Sequence, residues 1–257
     1  MSNIAIITGA SSGIGGATAV ALAERGINSI ITFNSHEDRV HEVVEAVEQK
    51  GAKAVPLQLE LGDTASFAAF KASVTEVLDR EWKAASVDYL VNNAGFLEMA
   101  LFDQTSEELF DSYVRVLLKG PFFLTQALLP LVSDGGAIVN VTSNSAFRSG
   151  IATGASAYAA MKGAMTTLTS YMAKEFSPRR IRVNSIAPGA TRTRIAGDAY
   201  EKYPEAMQPI ISATALGRLG QADDVAAAIA AVLSNDFRWV TGQDIEVSGG
   251  ARLSLEN

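Results

Sequence analysis

A phenol and an ammonium four residues apart, in Tyr158-Ala159-Ala160-Met161-Lys162, are the pair with the clearest chemical use in this sequence. On a helix, residues at that spacing share a face. A phenol ionises near ~10, too high for proton transfer at neutral pH. An ammonium a few Å away favours the phenolate and brings that value toward the working range. The same spacing also arises as an ordinary surface pair, so its use depends on what surrounds it. A second segment of chemical interest is Thr8-Gly9-Ala10-Ser11-Ser12-Gly13-Ile14-Gly15. Its glycines permit a tight turn and close backbone approach to a pyrophosphate, and a helix starting there would offer free N–H groups and its positive dipole end. Thr18 stands where the G-x-G-x-x-G fingerprint has its third glycine. A plain strand-to-helix turn is the competing reading.

Both segments need a scaffold, and the hydrophobic pattern supplies one. Short apolar runs read as buried strands at residues 4–7, 29–33, 54–59, 87–91, 137–141, 182–186 and 244–247. Helical patterns lie between them at 14–25, 38–50, 64–78, 107–131 (broken near Gly120-Pro121), 156–176 and 223–233. In the second helix Val40, Val43, Val44 and Val47 fall on one face. Gly26 and Gly51 stop the first two helices. Strand and helix alternate throughout, which predicts an α/β fold: a single-domain, Rossmann-type, doubly wound parallel sheet of about seven strands with helices on both faces, spanning residues 1–257. Such sheets bind ligands beyond the carboxyl ends of their strands, where the glycine segment lies.

Composition narrows the chemistry. The 257 residues include no cysteine and only two histidines, His36 and His41, which argues against disulfides, thiol nucleophiles and His-rich metal centres. A net charge of −7 argues against nucleic-acid and anionic-membrane partners. Residues 1–23 carry no charged side chain, but they lack a basic start and Thr8–Gly13 interrupts them, so neither a signal peptide nor a membrane span is read there. Residues 120–133 are also uncharged, yet short and interrupted by Pro121 and Pro130. A cytoplasmic protein is expected.

Two further motifs fall at strand ends: Asn92-Asn93-Ala94-Gly95 after the fourth strand and Pro188-Gly189 after the sixth. With the glycine segment and the Tyr158–Lys162 pair, they make the chain resemble the short-chain dehydrogenase/reductase family from Ile4 to about Gly250. The family's glycine motif is T-G-x-x-x-G-x-G. The resemblance implies reversible hydride transfer between a nicotinamide cofactor and a small carbonyl or alcohol. Tyr158 would donate the proton during reduction, Lys162 would lower its pKa and bind the nicotinamide ribose, and a serine would hold the carbonyl oxygen. Ser143 ends the fifth strand, whereas the family's usual interval to the tyrosine points to Ser145. Ser143 is preferred, because a loop absorbs two residues more easily than a buried strand shifts. The family often adds an asparagine in an N-x-x-G stretch. Here the stretch is Leu117-Leu118-Lys119-Gly120, which bears on the proton relay and leaves a catalytically weak or inactive dinucleotide-binding regulator as the alternative function.

The resemblance assigns cofactor contacts to Gly9, Ser11, Ser12, Gly13, Ile14 and Gly15, to Asn34 and Ser35 after the second strand, and to Glu60 and Leu61 after the third. It adds Asn93, Ala94, Gly95, Tyr158, Lys162, Pro188, Gly189, Thr191 and Thr193, with Asn92 to Gly95 running beside the ribose. No acid ends the second strand in Ile31-Thr32-Phe33-Asn34-Ser35-His36, so NADP(H) is favoured and NAD(H) stays open. Asn34, Ser35 and Arg39 could accept a 2′-phosphate, while Ser12 takes the usual basic place in the glycine loop. Ser35 and Asp38 read as a capping box, Asp63 as the cap of a helix beginning at Thr64, and His36 and His41 as loop and solvated helix residues. Residues 194–216 read as a substrate lid, with Tyr200, Tyr203, Met207 and Ile210 as its apolar face. Helices over 109–131 and 156–176 would make the contacts of a homotetramer or homodimer.

Overall fold

The computed structural model of the chain describes residues 3–35, 37–195 and 202–253. Seven strands form one parallel sheet: β1 (Ile4–Ile7), β2 (Asn28–Phe33), β3 (Ala54–Gln58), β4 (Val87–Asn92), β5 (Val132–Val141), β6 (Arg182–Pro188) and a last strand, Asp244–Val247. Their order in space is β3-β2-β1-β4-β5-β6 and then Asp244–Val247. The order reverses at β1, so a crevice opens between the ends of β1 and β4, where a doubly wound sheet binds its ligands. Alternation along β1 shows why both faces must be covered. Ala5 and Ile7 enter one apolar cluster, with Leu22, Val40 and Ile229. Ile4 and Ile6 enter the other, with Phe70, Val74, Leu124 and Leu128. Each fully buried Ile or Leu contributes about 1.5–3 kcal/mol, so the sheet is anchored from both sides.

The first face is covered by α1 (Gly13–Ala23), α2 (Glu37–Glu48) and a late helix, Ala222–Leu233. The second is covered by α3 (Phe67–Val77), α5 (Gly120–Leu128) and α6 (Ser156–Glu175), and α4 (Glu107–Tyr113) packs on α6 through Tyr113. The expected break near Gly120-Pro121 is corrected: α4 and α5 join through a wide π turn, Val114–Lys119, and helical structure runs on. Pro121 follows this π turn after Gly120 and supplies no N–H to the continuous helix. A side chain at Gly120 would collide with the Leu61 carbonyl, so glycine lets the helix press against the turn after β3. This composite helix, Glu107–Leu131, is long and apolar enough by composition to cross a membrane. In the fold, Leu117, Leu124 and Leu128 are fully buried.

Two short strands, β7 (Thr191–Arg192) and β8 (Gly220–Gln221), form a separate parallel ribbon that the sequence pattern does not announce. A five-residue helix, α7 (Gln208–Ser212), lies between them; the helix Ala222–Leu233 is α8 and the strand Asp244–Val247 is β9. Asp63 caps the turn at Thr64–Ser66 by accepting from the Ala65 N–H. The capping box in the fold sits at Gln221 and Asp224. Helix α2 is described from Glu37 on, and the capping box expected of Ser35 and Asp38 spans His36, which lies outside the described residues.

Candidate active site

The glycine segment works by close approach. Gly9 and Gly13 adopt φ of +64° and +57°, a region L side chains rarely enter. A Cβ on Gly9 would lie 2.7 Å from Ala94 Cα, and one on Gly15 would lie 2.5 Å from both Asn93 Nδ2 and the Gly9 carbonyl. The last glycine therefore admits the β4 loop. Thr8 and Asn93 lock the two loops together. Thr8 Oγ1 accepts from the Asn93 and Ala94 N–H groups at 2.9 and 3.0 Å, and Asn93 Nδ2 donates to the Thr8 and Gly9 carbonyls. Ser12 precedes α1 without a side-chain cap bond, which leaves the first amides of that helix for an anion. Thr18 is fully buried and its hydroxyl returns to the Ile14 carbonyl at 2.7 Å, so the third-glycine position tolerates a side chain.

A cleft of about 520 Å³ runs along these loops. Gly9, Ser11, Ser12, Gly13, Ile14, Asn34, Ser35, Glu60, Leu61, Asn93, Ala94, Gly95 and Thr193 all line it. Arg39, Phe96, Val116, Arg194 and Ile195 line it too. Gly15 stands behind the lining as the packing glycine described above. Pro188, Gly189 and Thr191 are also set back. A Cβ on Gly189 would meet Ser248 Cβ at 2.6 Å, and buried Thr191 turns its hydroxyl to the Gly189 carbonyl at 2.9 Å. These three fix the loop that carries Thr193. Asn92 points away from the cleft: its amide donates to Thr125 Oγ1 and Asn140 Oδ1, and Asn140 donates to Thr169 Oγ1, a polar chain inside the core.

Where β2 and β3 end, both oxygens of Glu60 are engaged, Oε2 by Asn34 Nδ2 at 2.6 Å and Oε1 by the Gly62 N–H at 2.8 Å. Beside the cleft lies a second cavity of about 430 Å³, which shares Ser11, Ser12, Gly13, Arg39, Thr193 and Arg194 with it and adds Arg192. Neither Arg39 nor Arg192 makes a side-chain hydrogen bond or ion pair with another described residue. Glu42 and Asp223 also line that cavity, so three arginines stand against two acids.

The tyrosine and lysine sit beyond Gly95 and Phe96. Tyr158 and Lys162 are 7% and 5% exposed, and Lys162 Nζ is 5.7 Å from the Tyr158 ring centre. Nζ donates to the Val141 carbonyl at 2.8 Å, and burial lowers its pKa to about 8. A Cβ on Gly95 would press on Leu117 Cδ2 at 3.0 Å and touch Nζ at an ordinary 3.8 Å, so this glycine lies directly beside the ammonium. Phe96 stacks on Tyr113 at 4.8 Å, and Tyr113 meets Tyr158 edge-on at 6.1 Å. The Tyr113 hydroxyl is satisfied by the Glu98 backbone on both sides. Spacing gave no signal for this aromatic wall. Leu117, in the position of the family's asparagine, is 2% exposed and packs in one apolar cluster with Tyr113, Tyr158 and Met161.

The two candidate serines meet. Ser145 donates its N–H and its hydroxyl to Ser143 Oγ, at 3.2 and 2.9 Å. The Ser145 N–H thus fixes Ser143 Oγ in place, and the two hydroxyls share one hydrogen bond. The turn Asn144–Ala146 lies against α6, where a Cβ on Gly163 would meet Ala146 Cβ at 3.9 Å. Within the segment expected to form a lid, Tyr203 and Ile210 are exposed, while Tyr200 lies outside the described residues.

Comparison with known proteins decides the family. Residues 9–252 match the family model described as enoyl-(acyl carrier protein) reductase. The chain is 35% identical over 251 residues to the 3-oxoacyl-[acyl-carrier-protein] reductase FabG of Thermotoga maritima, covering 96% of each chain. It belongs to the short-chain dehydrogenase/reductase family. Among solved structures of this family, LugOII is similar with a TM-score of 0.92 and 34% identity over 98% of both chains; it is described as a promiscuous reductase that catalyses keto-reduction at C1 during lugdunomycin biosynthesis. The angucycline C-6 ketoreductase LanV, solved with bound NADP, is similar with a TM-score of 0.91 and 32% identity, over 98% of this chain and 96% of that one. The chain is thus an oxidoreductase of this family on a Rossmann-type fold.

Proposed function

We propose that the protein is an NADPH-dependent reductase of small carbonyl compounds, working reversibly on the corresponding alcohols. The observation that carries this reading is the buried Tyr158–Lys162 pair, with Lys162 Nζ 3.8 Å from where a Cβ would stand on the cleft-lining Gly95. The residues fit a dinucleotide: Ser11, Ser12, Gly13 and Ile14 would hold its pyrophosphate at the uncapped start of α1, Glu60 and Leu61 would face the adenine, and Asn93 to Gly95 would flank the ribose. Pro188, Gly189 and Thr191 would hold Thr193 in place against the carboxamide end. When bound, the reduced nicotinamide supplies the hydride that the carbonyl carbon accepts.

The chain's own groups handle the oxygen. Ser143 donates a hydrogen bond to it and steadies the developing negative charge. Tyr158 delivers the proton. Lys162, below its pKa of about 8 at neutral pH, supplies the positive charge that makes the phenol a stronger acid. The preference for NADPH over NADH is supported by Arg39 and Arg192, two guanidiniums without a described partner beside the glycine loop. Asn34 is already committed to Glu60, so Arg39 is the stronger anchor for a 2′-phosphate. Exposed Phe110, Phe122, Phe123 and Tyr171 on helices α4 to α6 support self-association as a homodimer or homotetramer. The reading is tested by NADPH oxidation with a panel of menadione, phenanthrenequinone and ethyl acetoacetate. Turnover that depends on Tyr158 supports it, and NADPH binding without turnover of any ketone favours a regulator.

A further inference from the structure

Three hydroxyls converge on one carboxylate behind the catalytic pair. Thr142 Oγ1 and Ser185 Oγ donate to Asp244 Oδ1 at 3.0 and 2.7 Å, and Thr166 Oγ1 donates to Oδ2 at 2.7 Å. The donors come from the end of β5, from β6 and from α6, and Asp244 is the first residue of β9. Among the described residues no cation pairs with Asp244, so hydroxyls alone hold its oxygens.

Satisfying those hydroxyls does not require the carboxylate. Thr142 also reaches the Ile186 carbonyl at 3.1 Å, Thr166 the Lys162 carbonyl at 3.3 Å, and Ser185 the Gln243 carbonyl at 3.5 Å. What the carboxylate adds is direction. Hydrogen bonds to a charged acceptor are roughly twice as strong as neutral ones, so all three side chains turn toward a single point. That point ties together the parts that carry the chemistry. Thr142 lies between Val141, whose carbonyl receives Lys162 Nζ, and Ser143. Thr166 lies one turn beyond Lys162 on α6.

We infer that Asp244 is a positioning residue: it clamps the end of β5 to α6 and so sets Ser143 against the Tyr158–Lys162 pair. This rests on the reductase reading above. None of the four clamp residues lines the cleft, so its loss is expected to fall mainly on the chemical step and little on cofactor binding.

The test compares Asp244→Ala, Asp244→Asn and Thr166→Val with wild type, using NADPH and the three carbonyl compounds named above. Misplacement of a catalytic group by about 1 Å costs on the order of 100-fold. Asp244→Ala is therefore expected to lower kcat by roughly 10–100-fold, with the NADPH Kd and the KM for the ketone within about twofold. Asp244→Asn keeps one oxygen acceptor but loses the charge and the second acceptor, and is expected to recover only part of the lost kcat. Thr166→Val removes one donor, leaves the fold intact and is expected to fall between wild type and Asp244→Ala. Unchanged kcat in Asp244→Ala, a loss wholly in NADPH binding, or an asparagine variant no better than alanine overturns the inference. Amide exchange gives a readout independent of turnover. Asp244→Ala is expected to speed exchange at Thr142 and Ser145, and unchanged protection there overturns the clamp. A wild type that turns over none of the compounds overturns the reductase reading, and the exchange result then decides the clamp.

Discussion

Replacing Lys162 by methionine tests the burial of the ammonium through stability alone. Lysine's ordinary pKa of 10.5 falls to about 8 at this site because burial disfavours the charged form. At ~1.4 kcal/mol per pH unit, that difference corresponds to about 3 kcal/mol. Below about pH 8 the group is charged in both folded and unfolded chains, and the burial cost is fully present. Between there and 10.5 the folded chain binds fewer protons than the unfolded one, so stability rises with pH. Above 10.5 the group is neutral in both and the cost is gone. Methionine keeps most of the stem volume and never titrates. It also leaves the Val141 carbonyl without its donor, a loss that does not depend on pH. The stability of wild type minus Lys162→Met is therefore expected to grow by about 3 kcal/mol between pH 7 and the upper end of that window. For a chain of this size that is about 6–12 °C in Tm. Urea unfolding of both proteins at matched pH values measures it, and subtraction removes alkaline effects common to the two. A gap that stays flat within about 1 kcal/mol would refute a desolvated ammonium at this position.

Two further outcomes are expected. Arg39→Gln removes a charge-assisted contact of about 1.5–3 kcal/mol, so the NADPH Kd should rise by roughly 10–150-fold in calorimetric titration, with the NADH Kd within about twofold. Equal losses for both cofactors would remove Arg39 from 2′-phosphate recognition. Gly15→Ala puts a Cβ 2.5 Å from Asn93 Nδ2 and from the Gly9 carbonyl, and backbone cannot yield cheaply there. Overpacking of this kind costs about 1–3 kcal/mol, so its urea midpoint should fall and NADPH binding should weaken with it. A neutral substitution would mean that the two loops are not locked as described.

The alternation of strand and helix was legible because each element is patterned over its own few residues. The seven strands appear within a residue or two of their expected ends, except β5, which starts at Val132 where the apolar run begins only at Ala137. The π turn before α5 was not legible, since Gly120 and Pro121 signal a local break while packing against Leu61 carries the helix through. The loops that line the cleft were legible from glycine spacing and family likeness, although Gly15, Tyr158, Lys162, Pro188, Gly189 and Thr191 of the expected contacts do not line it. Counting alone left Ser143 and Ser145 as rivals, whereas the fold joins them by hydrogen bonds. Asp244 lies 102 residues from Thr142 and 78 from Thr166, and Arg192 and Arg39 line one cavity only because the fold brings them to the glycine loop. No spacing rule reaches that far.

The central claim is that Tyr158 supplies the proton for NADPH-dependent carbonyl reduction. It is tested most directly by single-turnover NADPH oxidation in wild type and Tyr158→Phe, with NADPH affinity measured on the same samples. The account predicts an NADPH Kd within about twofold of wild type and a rate lower by on the order of 10³-fold, the scale of a lost general acid. A phenylalanine variant that reduces the same ketone at a rate near that of wild type would contradict it.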